Sequence, residues 1–452
     1  MNPWIVKNLI YFPIQAVRGE QVREYMDRIN AFHEKPLFEQ LEIQWRKLRK
    51  LLEYVSANNH YYRDIFASHE IDVGKIESPE DFRKIPFLTK DAIRAGSKNM
   101  VSNYSRRVSR RKTSGSTGVP LAFVKDRDST AYMDALMYEV YGWHGIGIGD
   151  RQSRLWGIPF ALKGRLLTHV KDILLNRRRL SAFSLSRESC IDYFQCLKRF
   201  KPKFMYGLPS TMGAFAAILQ SSGIDPSEAQ LEVIISTGEI LSARGREKLE
   251  SAFGCRVVNE YGTTENGIVA FESADGKMRL MIHNLYIEIL NPEDGTPSKP
   301  GETGEIIITE LHSYAMPFIR YRVGDLAVPE SDSVDGSNLP TVREIAGRVS
   351  DLVITPEGKR VAAAILDYSL AEGIKRFKAF QTAVDSLQVM IETDDSFDKS
   401  TLTRTEKSWR AYLGENIRIE FNIVDKIPPD KSGKMTVLES SLDSEDFDVR
   451  TE

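Results

Sequence analysis

The chain has 452 residues, of which 42% are hydrophobic, 10% aromatic and 27% charged. That length exceeds what one hydrophobic core organises, so two or more domains with room for a buried site are expected. Sixty-one Lys and Arg stand against 63 Asp and Glu, a formal charge of −2, which excludes a disordered polyelectrolyte and a general nucleic-acid binder.

The N-terminal stretch up to Gly19 holds a short apolar run broken by Lys7 and Asn8 and followed by no small-residue cleavage site, so it does not read as a signal peptide. No stretch reaches the roughly 20 apolar residues that span a bilayer, and a cytoplasmic protein is expected, with peripheral contact at the inner face of a membrane left open. From Phe38 to Asn58, the residues Leu41, Trp45, Leu48, Leu51, Leu52 and Val55 recur at three- and four-residue steps, which predicts an amphipathic helix. A Ser- and Pro-punctuated link over 77–90 leads to the basic run Arg106, Arg107, Arg110, Arg111 and Lys112, directly before a Ser/Thr/Gly loop. That junction attracts anions.

Segment 163–180 mixes Leu, Ile and Val with Lys163, Arg165, Lys171, Arg177, Arg178 and Arg179. It reads as a solvated helix face, or as a surface for an anionic membrane, the phosphopantetheine of a carrier protein or the phosphates of CoA. Cys190, Cys196 and Cys255 match neither a disulfide framework nor a paired-cysteine metal site, and a reducing compartment is expected. Helical patterns then alternate with β-branched runs at 204–207, 231–237 and 256–262, which predicts an α/β layered domain. Near residue 280 the pattern changes: 286–291, 305–309 and 318–323 lie close together between Gly/Pro turns, as a small antiparallel region. His283 and His312 lack the cysteine spacing of a structural metal site. After a polar loop at 329–340, strands at 384–392 and 417–424 flank a helix at 399–413. The expected fold class is therefore α/β, with a large layered N-terminal domain, residues 1–347, and a small α+β C-terminal domain, residues 348–452.

Six short motifs carry the chemistry. The loop Thr113, Ser114, Gly115, Ser116, Thr117, Gly118 supplies hydroxyls, backbone N–H groups and two glycines that permit close approach, which suits phosphate oxygens or a flexible turn. Val119 and Pro120 follow where a P-loop has Lys and Ser or Thr, so a P-loop NTPase is disfavoured. Gly238 and Glu239 close one apolar run, and Tyr261, Gly262, Thr263, Thr264 and Glu265 close the next, at strand ends where open α/β sheets bind ligands. A Tyr there can stack on a base, a Thr can bond a phosphate and a Glu can hold magnesium; a satisfied strand-end turn is the alternative. Asp325, in Tyr-Arg-Val-Gly-Asp, can accept from two ribose hydroxyls or pair with Arg322. Gly347-Arg348-Val349-Ser350-Asp351 and Ser432-Gly433-Lys434 complete the set.

Each motif alone is weak, but in this order, from Thr113 to Lys434, they resemble the adenylate-forming superfamily of acyl-CoA synthetases, peptide-synthetase adenylation domains and luciferases. Within it the chain is most similar to the phenylacetate-CoA ligase branch, above all the members associated with capsular and exopolysaccharide biosynthesis. The resemblance implies ATP, Mg²⁺ and CoA as cofactors and a small carboxylic acid as substrate. It implies that residues 113–118 cradle the β- and γ-phosphates, that Gly238 and Glu239 line the adenine and acyl site, and that Tyr261 packs on adenine. Thr264 would contact the α-phosphate, Glu265 would ligate magnesium, and Asp325 and Arg348 would hold the ribose. Lys434, on a mobile C-terminal domain hinged at Ser350, would bridge carboxylate and phosphate during adenylation.

Trp156, Pro159, Phe160, Tyr206, Gly207 and Ser210 fall where the family lines its acyl pocket, or else pack the core. Their mix of aromatic and small residues suggests an aromatic or short acid, and Leu121 after Pro120, where many members have Lys, argues against the long-chain type. The acyl group would pass to a thiol, with CoA favoured over a carrier protein, an amine or a sugar. Outside the enzyme class the rival is a catalytically weak nucleotide-binding scaffold, against which the presence of both Glu265 and Lys434 speaks.

Overall fold

The basic run becomes strand β1 (Val108–Lys112), paired antiparallel with β2 (Ala122–Asp126) in a two-stranded hairpin. The computed structural model describes residues 1–96, 99–104, 106–113, 121–156, 162–182, 185–330, 339–348, 352–357, 360–362, 366, 370–427 and 437–440.

Eleven strands form the main sheet: β3 (Gln152–Trp156), β4 (Arg177–Ser181), β5 (Phe204–Gly207), β6 (Val233–Thr237), β7 (Arg256–Thr263), β8 (Gly267–Glu272), β9 (Met278–Leu280), β10 (Leu285–Leu290), β11 (Gly304–Glu310), β12 (Tyr321–Pro329) and β13 (Thr341–Arg348). Their order is β10-β11-β12-β13-β9-β8-β7-β6-β5-β3-β4, and β4, β3, β5, β6 and β7 run parallel. Successive side chains of a strand point to opposite faces, and here both faces are apolar and covered. Met205, Ile234 and Val257 pack beneath helices Arg187–Phe200, Pro209–Ser221 and Ala243–Phe253, with Phe194, Phe215 and Phe253. Their neighbours Phe204, Ile235 and Val258 pack with Ile29 of helix Val22–His33 and with Leu136 and Val140 of helix Arg127–Gly142. Truncating one of these residues, for example Ile234→Ala, would cost about 2–5 kcal/mol through lost burial and a residual cavity.

The sequence places the change of topology near residue 280, followed by a small antiparallel region. The antiparallel pairing of β10, β11 and β12 is present, but the change comes earlier, because β8 already runs antiparallel to β7, and β8 to β13 extend the same sheet. The reversal fits between Thr263 and Gly267, whose φ of +76° lies in the left-handed region that glycine enters at no steric cost. The strand expected at 318–323 begins only at Tyr321, because Arg320 adopts φ +49° and turns its buried guanidinium onto Glu288 at 3.0 Å. The amphipathic helix forms as Leu37–Asn58, burying Leu48, Leu51, Leu52 and Val55 and tying down to the chain before β10 by Gln44, which donates to the carbonyls of Ile282 and Leu285. Segment 163–180 splits into helix Leu162–Leu174 and edge strand β4, so it is not a single helix face.

Beyond Arg348 a separate core begins. Strands β14 (Leu352–Ile354) and β15 (Arg360–Ala362) pair, while β16 (Ile374–Ala383), β17 (Ser386–Thr393), β18 (Arg418–Ile423) and β19 (Leu438–Ser440) form a second sheet in the order β18-β17-β16-β19. Phe377, Val389, Ile391 and Leu413 pack around Trp409, whose indole N–H donates to the Leu366 carbonyl at 3.0 Å. Helix Lys399–Leu413 matches the expected helix, whereas β16 went unread.

Candidate active site

Strand β3 has β4 on one side and β5 on the other, so the chain order reverses at β3, and open α/β sheets bind ligands beyond the carboxyl ends of the strands at such a switch point. Trp156 ends β3 and Tyr206 precedes the last residue of β5, and their rings stand 5.5 Å apart with planes tilted by 41°. Gly238 follows β6 with φ +78°, and a Cβ there would lie 3.0 Å from Leu208 Cδ2 and 3.5 Å from the Trp156 ring. Only a residue without a side chain keeps the space between the β6 end and that indole clear.

Gly207 and Ser210 serve packing and capping contacts. A Cβ on Gly207 would stand 2.9 Å from the Leu155 carbonyl oxygen, so its smallness lets β3 and the following helix close on β5. Ser210 donates to Glu239 through its backbone N–H at 3.1 Å and its hydroxyl at 2.9 Å. Helix Pro209–Ser221 has no cap from its own N-cap residue, Leu208, so Glu239 satisfies its first turn and sits at the positive end of the helix dipole.

Two of the sequence motifs meet at Tyr261 and Asp325. Tyr261 Oη donates to Asp325 Oδ2 at 2.7 Å, across strands that β8, β9 and β13 separate in the sheet. Asp325 stands in register with Arg348 across β12 and β13, while Arg322 makes its ion pair with Glu305 of β11. The Arg322 to Asp325 pairing weighed from sequence is therefore replaced by Glu305, on the neighbouring strand two residues from the position that pairs with Arg322. Lys90 approaches the same corner, donating from Nζ to the Val323 carbonyl at 3.0 Å.

Thr264 is exposed in the turn after β7, and Glu265 beside it is buried. Tyr321 Oη donates to Glu265 Oε1 at 3.0 Å, and burial together with the adjacent carboxylate raises the phenol far above its ordinary range, so it stays a donor. Magnesium prefers hard oxygen ligands and is commonly held by one or two carboxylates plus phosphate oxygens and water. The turn fits that requirement: Glu265 supplies a carboxylate next to the Thr264 hydroxyl, and among the described residues no three His, Cys, Asp or Glu are grouped to cage an ion. Burial keeps His283 and His312 neutral, their protonation further opposed by Lys47, and His283 lies 5.2 Å from the ring of His33.

The hairpin carries the two residues that flank the first motif, Thr113 and Leu121. Thr113 donates its N–H to the Leu121 carbonyl at 2.9 Å and accepts from the Leu121 N–H at 2.9 Å, so the base of the intervening loop is closed by two bonds. Arg111 reaches Thr130 at 3.3 Å and the sulfur of Met133 at 3.9 Å, and a Cβ on Gly267 would touch that same Met133. Residues Ser114, Gly115, Ser116, Thr117, Gly118, Pro159, Phe160, Ser350 and Lys434 lie outside the described residues, and for Arg348 only the backbone is described.

Sequence reasoning missed Glu260. It precedes Tyr261, points to the opposite face of β7, and accepts from Tyr206 Oη at 3.1 Å and Tyr141 Oη at 2.9 Å. Arg154 lies 4.9 Å over the Tyr206 ring. Burial pushes the Glu260 carboxyl up, opposed by its tyrosine and threonine hydrogen bonds and by Arg154. A polar cluster of Glu260, Tyr141 and Arg154 thus surrounds Tyr206, whose ring neighbours Trp156. The available signal was a carboxylate in phase with the inward Val258.

Residues 113–313 match the family described as AMP-binding enzyme, and residues 353–440 the CapK C-terminal domain. The chain is 22% identical to Protein CapK of Staphylococcus aureus over 96% of both chains. It is 27% identical to the phenylacetate-coenzyme A ligase of Aromatoleum evansii, over 69% of this chain and 71% of that one. In fold it is similar to a 2-hydroxyisobutyryl-CoA ligase solved in the postadenylation state with R3-HIB-AMP, with a TM-score of 0.75 and 20% identity over 92% of each chain. These matches run through both cores and join them in one order, and the chain belongs to the adenylate-forming AMP-binding enzymes, in the phenylacetate-CoA ligase-like branch, an AMP-forming acid–thiol ligase by class.

Proposed function

We propose that this chain condenses ATP with a small carboxylic acid to an acyl-adenylate and passes the acyl group to the thiol of coenzyme A, in the metabolism of a surface polysaccharide. The observation that carries this reading is the Tyr261 to Asp325 hydrogen bond. It joins an aromatic ring, three residues before Thr264 in the chain, to a carboxylate; the two groups suit adenosine, which supports the reading. The similarity to CapK supports the polysaccharide context.

In the first step a carboxylate oxygen of the acid attacks the α-phosphorus, the bond to the bridging oxygen of the β-phosphate breaks, and pyrophosphate leaves. The acid is already ionised at neutral pH and needs no general base. Thr264 would hold the α-phosphate, the 113–118 loop the β- and γ-phosphates, and Asp325 with Arg348 the ribose. Lys434 would place its ammonium where charge builds at phosphorus, and a preorganised donor of that kind is worth most in the transition state. Glu265 would hold Mg²⁺, which supplies charge neutralisation to the phosphates when bound. In the second step the thiol sulfur attacks the acyl carbon, AMP leaves with the electron pair of the broken C–O bond, and the thiol proton goes to solvent. A domain rotation that withdraws Lys434 would clear the path for the thiol.

The space kept by Gly238 beside Trp156 and Tyr206 supports an acid of modest size, and the polar cluster of Glu260, Tyr141 and Arg154 around Tyr206 supports one bearing a hydrogen-bonding substituent. A pyrophosphate-release screen over a panel of carboxylic acids, run with and without CoA, tests the reading. Acid-dependent release that CoA accelerates is expected. Release that CoA leaves unchanged moves the acyl group to a carrier protein, an amine or a sugar, and no acid-dependent release with any acid leaves a nucleotide-binding scaffold.

A further inference from the structure

The N-terminal residues are helical from Pro3 to Arg18 and carry two apolar stripes where a surface helix ordinarily carries one. The inner stripe, with Val6 and Tyr11, is buried. The outer stripe faces solvent, with Trp4 63%, Leu9 61% and Val17 90% exposed, and Ile5 and Ile14 beside them. Asn176 pins the start of this helix by donating to the Met1 carbonyl at 2.9 Å and to the Gly149 carbonyl at 2.8 Å. Asn176 itself stands two residues past helix Leu162–Leu174, which exposes Val170, Ile173 and Leu174. Two neighbouring helices therefore leave apolar side chains in water, where burying each one would be favourable by about 1.5–3 kcal/mol.

The exposed charges beside these side chains are cationic, whereas the neighbouring acids Glu20 and Asp134 are turned inward, Glu20 onto Arg18 at 2.8 Å and Asp134 onto the Gln15 amide at 3.2 Å. Residues 1–19 include Lys7 and Arg18 and contain no Asp or Glu. Helix Leu162–Leu174 carries the exposed Lys171, and its one acid, Asp172, is buried against Arg179 at 3.1 Å. A contact of this face with itself in a second copy would set cation against cation, because a two-fold interface brings the same patch together.

We propose that this face docks on an anionic lipid surface, with Trp4, Leu9, Val170 and Ile173 entering the headgroup boundary and Lys7 and Lys171 meeting lipid phosphates. The inference is independent of the acid and of the acyl acceptor, since none of these residues belongs to the candidate active site.

Co-sedimentation of the full chain with phosphatidylcholine vesicles, with and without phosphatidylglycerol, decides it. Binding is expected only to the anionic vesicles and should weaken with added salt. The triple variant Trp4→Ser, Leu9→Ser, Ile173→Ser should lower partition about tenfold or more, with an unchanged thermal midpoint and unchanged acid-dependent pyrophosphate release. Lys7→Glu with Lys171→Glu touches no apolar side chain and should also release the protein, which keeps the test decisive should the triple variant fold poorly. Phe38→Ser with Leu41→Ser, at exposed apolar positions on another helix, should leave binding intact. Failure of the unmodified chain to bind anionic vesicles, equal binding by the charge variant, or a concentration-dependent dimer that the triple variant abolishes would each overturn the proposal.

Discussion

Glu260 is a buried carboxylate whose ionisation the fold opposes, and its chemistry follows from that. Because burial raises its pKa above the ordinary 4.5, the folded chain holds the proton more tightly than the unfolded chain. Its contribution to stability is complete below that ordinary value and is lost as pH rises through the raised one. Glu260→Gln removes the proton-linked term while keeping size and polarity. Thermal midpoints followed from about pH 5 to about pH 9 should therefore fall less in the variant than in the parent, the two curves meeting at the acid end. Parallel curves would mean that the tyrosine hydrogen bonds cancel the burial. Tyr261 poses the opposite case, a half-buried residue whose hydroxyl donates to Asp325, the residue proposed to hold the ribose. Tyr261→Phe keeps the ring for adenine and deletes one hydrogen bond to a charged group, a loss of about 1.5–3 kcal/mol. The KM for ATP should rise about tenfold or more with little change in kcat, as expected for an interaction made equally in ground and transition states. A loss confined to kcat would put the hydroxyl in the chemical step and contradict its assignment to binding.

Elements with a strong period were legible and long-range pairings were not. Helix Leu37–Asn58 repeats apolar residues at three and four, and the parallel strands are apolar runs bounded by turn residues, so both were readable. Direction was hidden, because β8 is as apolar as the parallel strands and nothing in its composition records that it runs the other way. β16 escaped because lysine and arginine alternate with its inward Phe377 and Ala379, as a strand covered on one face allows. Within the site, the motif residues were legible as local turns, whereas Glu260 depends on Tyr141, 119 residues away in sequence, and only folding brings the two together. The pairing of Glu239 with Ser210 is invisible for the same reason. Gly238 joins the two levels, a turn residue in the sequence and an open space in the fold. Gly238→Ala would force a left-handed φ and bring Cβ to 3.0 Å from Leu208, so a cost of about 1–2 kcal/mol is expected. The same methyl narrows the space beside Trp156, so in the acid panel the largest accepted acid should lose more kcat/KM than the smallest. A uniform loss across the panel would place the acyl group elsewhere.

The molecule as a whole consists of two cores, one ending with Arg348 and the other starting at Leu352, and their relative placement rests in part on one guanidinium. Arg244, on helix Ala243–Phe253 of the large domain, donates to the Ile374 carbonyl at 2.6 Å and lies 3.4 Å from Asp394, both in the small domain. A half-exposed ion pair with one good carbonyl bond is worth about 1 kcal/mol, too little to hold two domains permanently and enough to bias between orientations about fivefold. One lysine cannot stay beside the phosphorus while a thiol approaches the acyl carbon along the same side, so at least two orientations are expected in the reaction cycle. Arg244→Ala should then change the rates of adenylation and of thioester formation unequally, by up to about fivefold, with the thermal midpoint of the large domain unchanged. Ser350→Pro acts on the same equilibrium from the connection itself, since a ring that fixes φ restricts rotation about the segment joining the cores, and its effect should be larger and also unequal. The two half-reactions are read separately, as single-turnover pyrophosphate release and as thioester formed from preassembled acyl-adenylate. Equal losses in both reactions for both variants would indicate general destabilisation, and no loss in either would show that the domains exchange orientation without using Arg244 or the connection at Ser350.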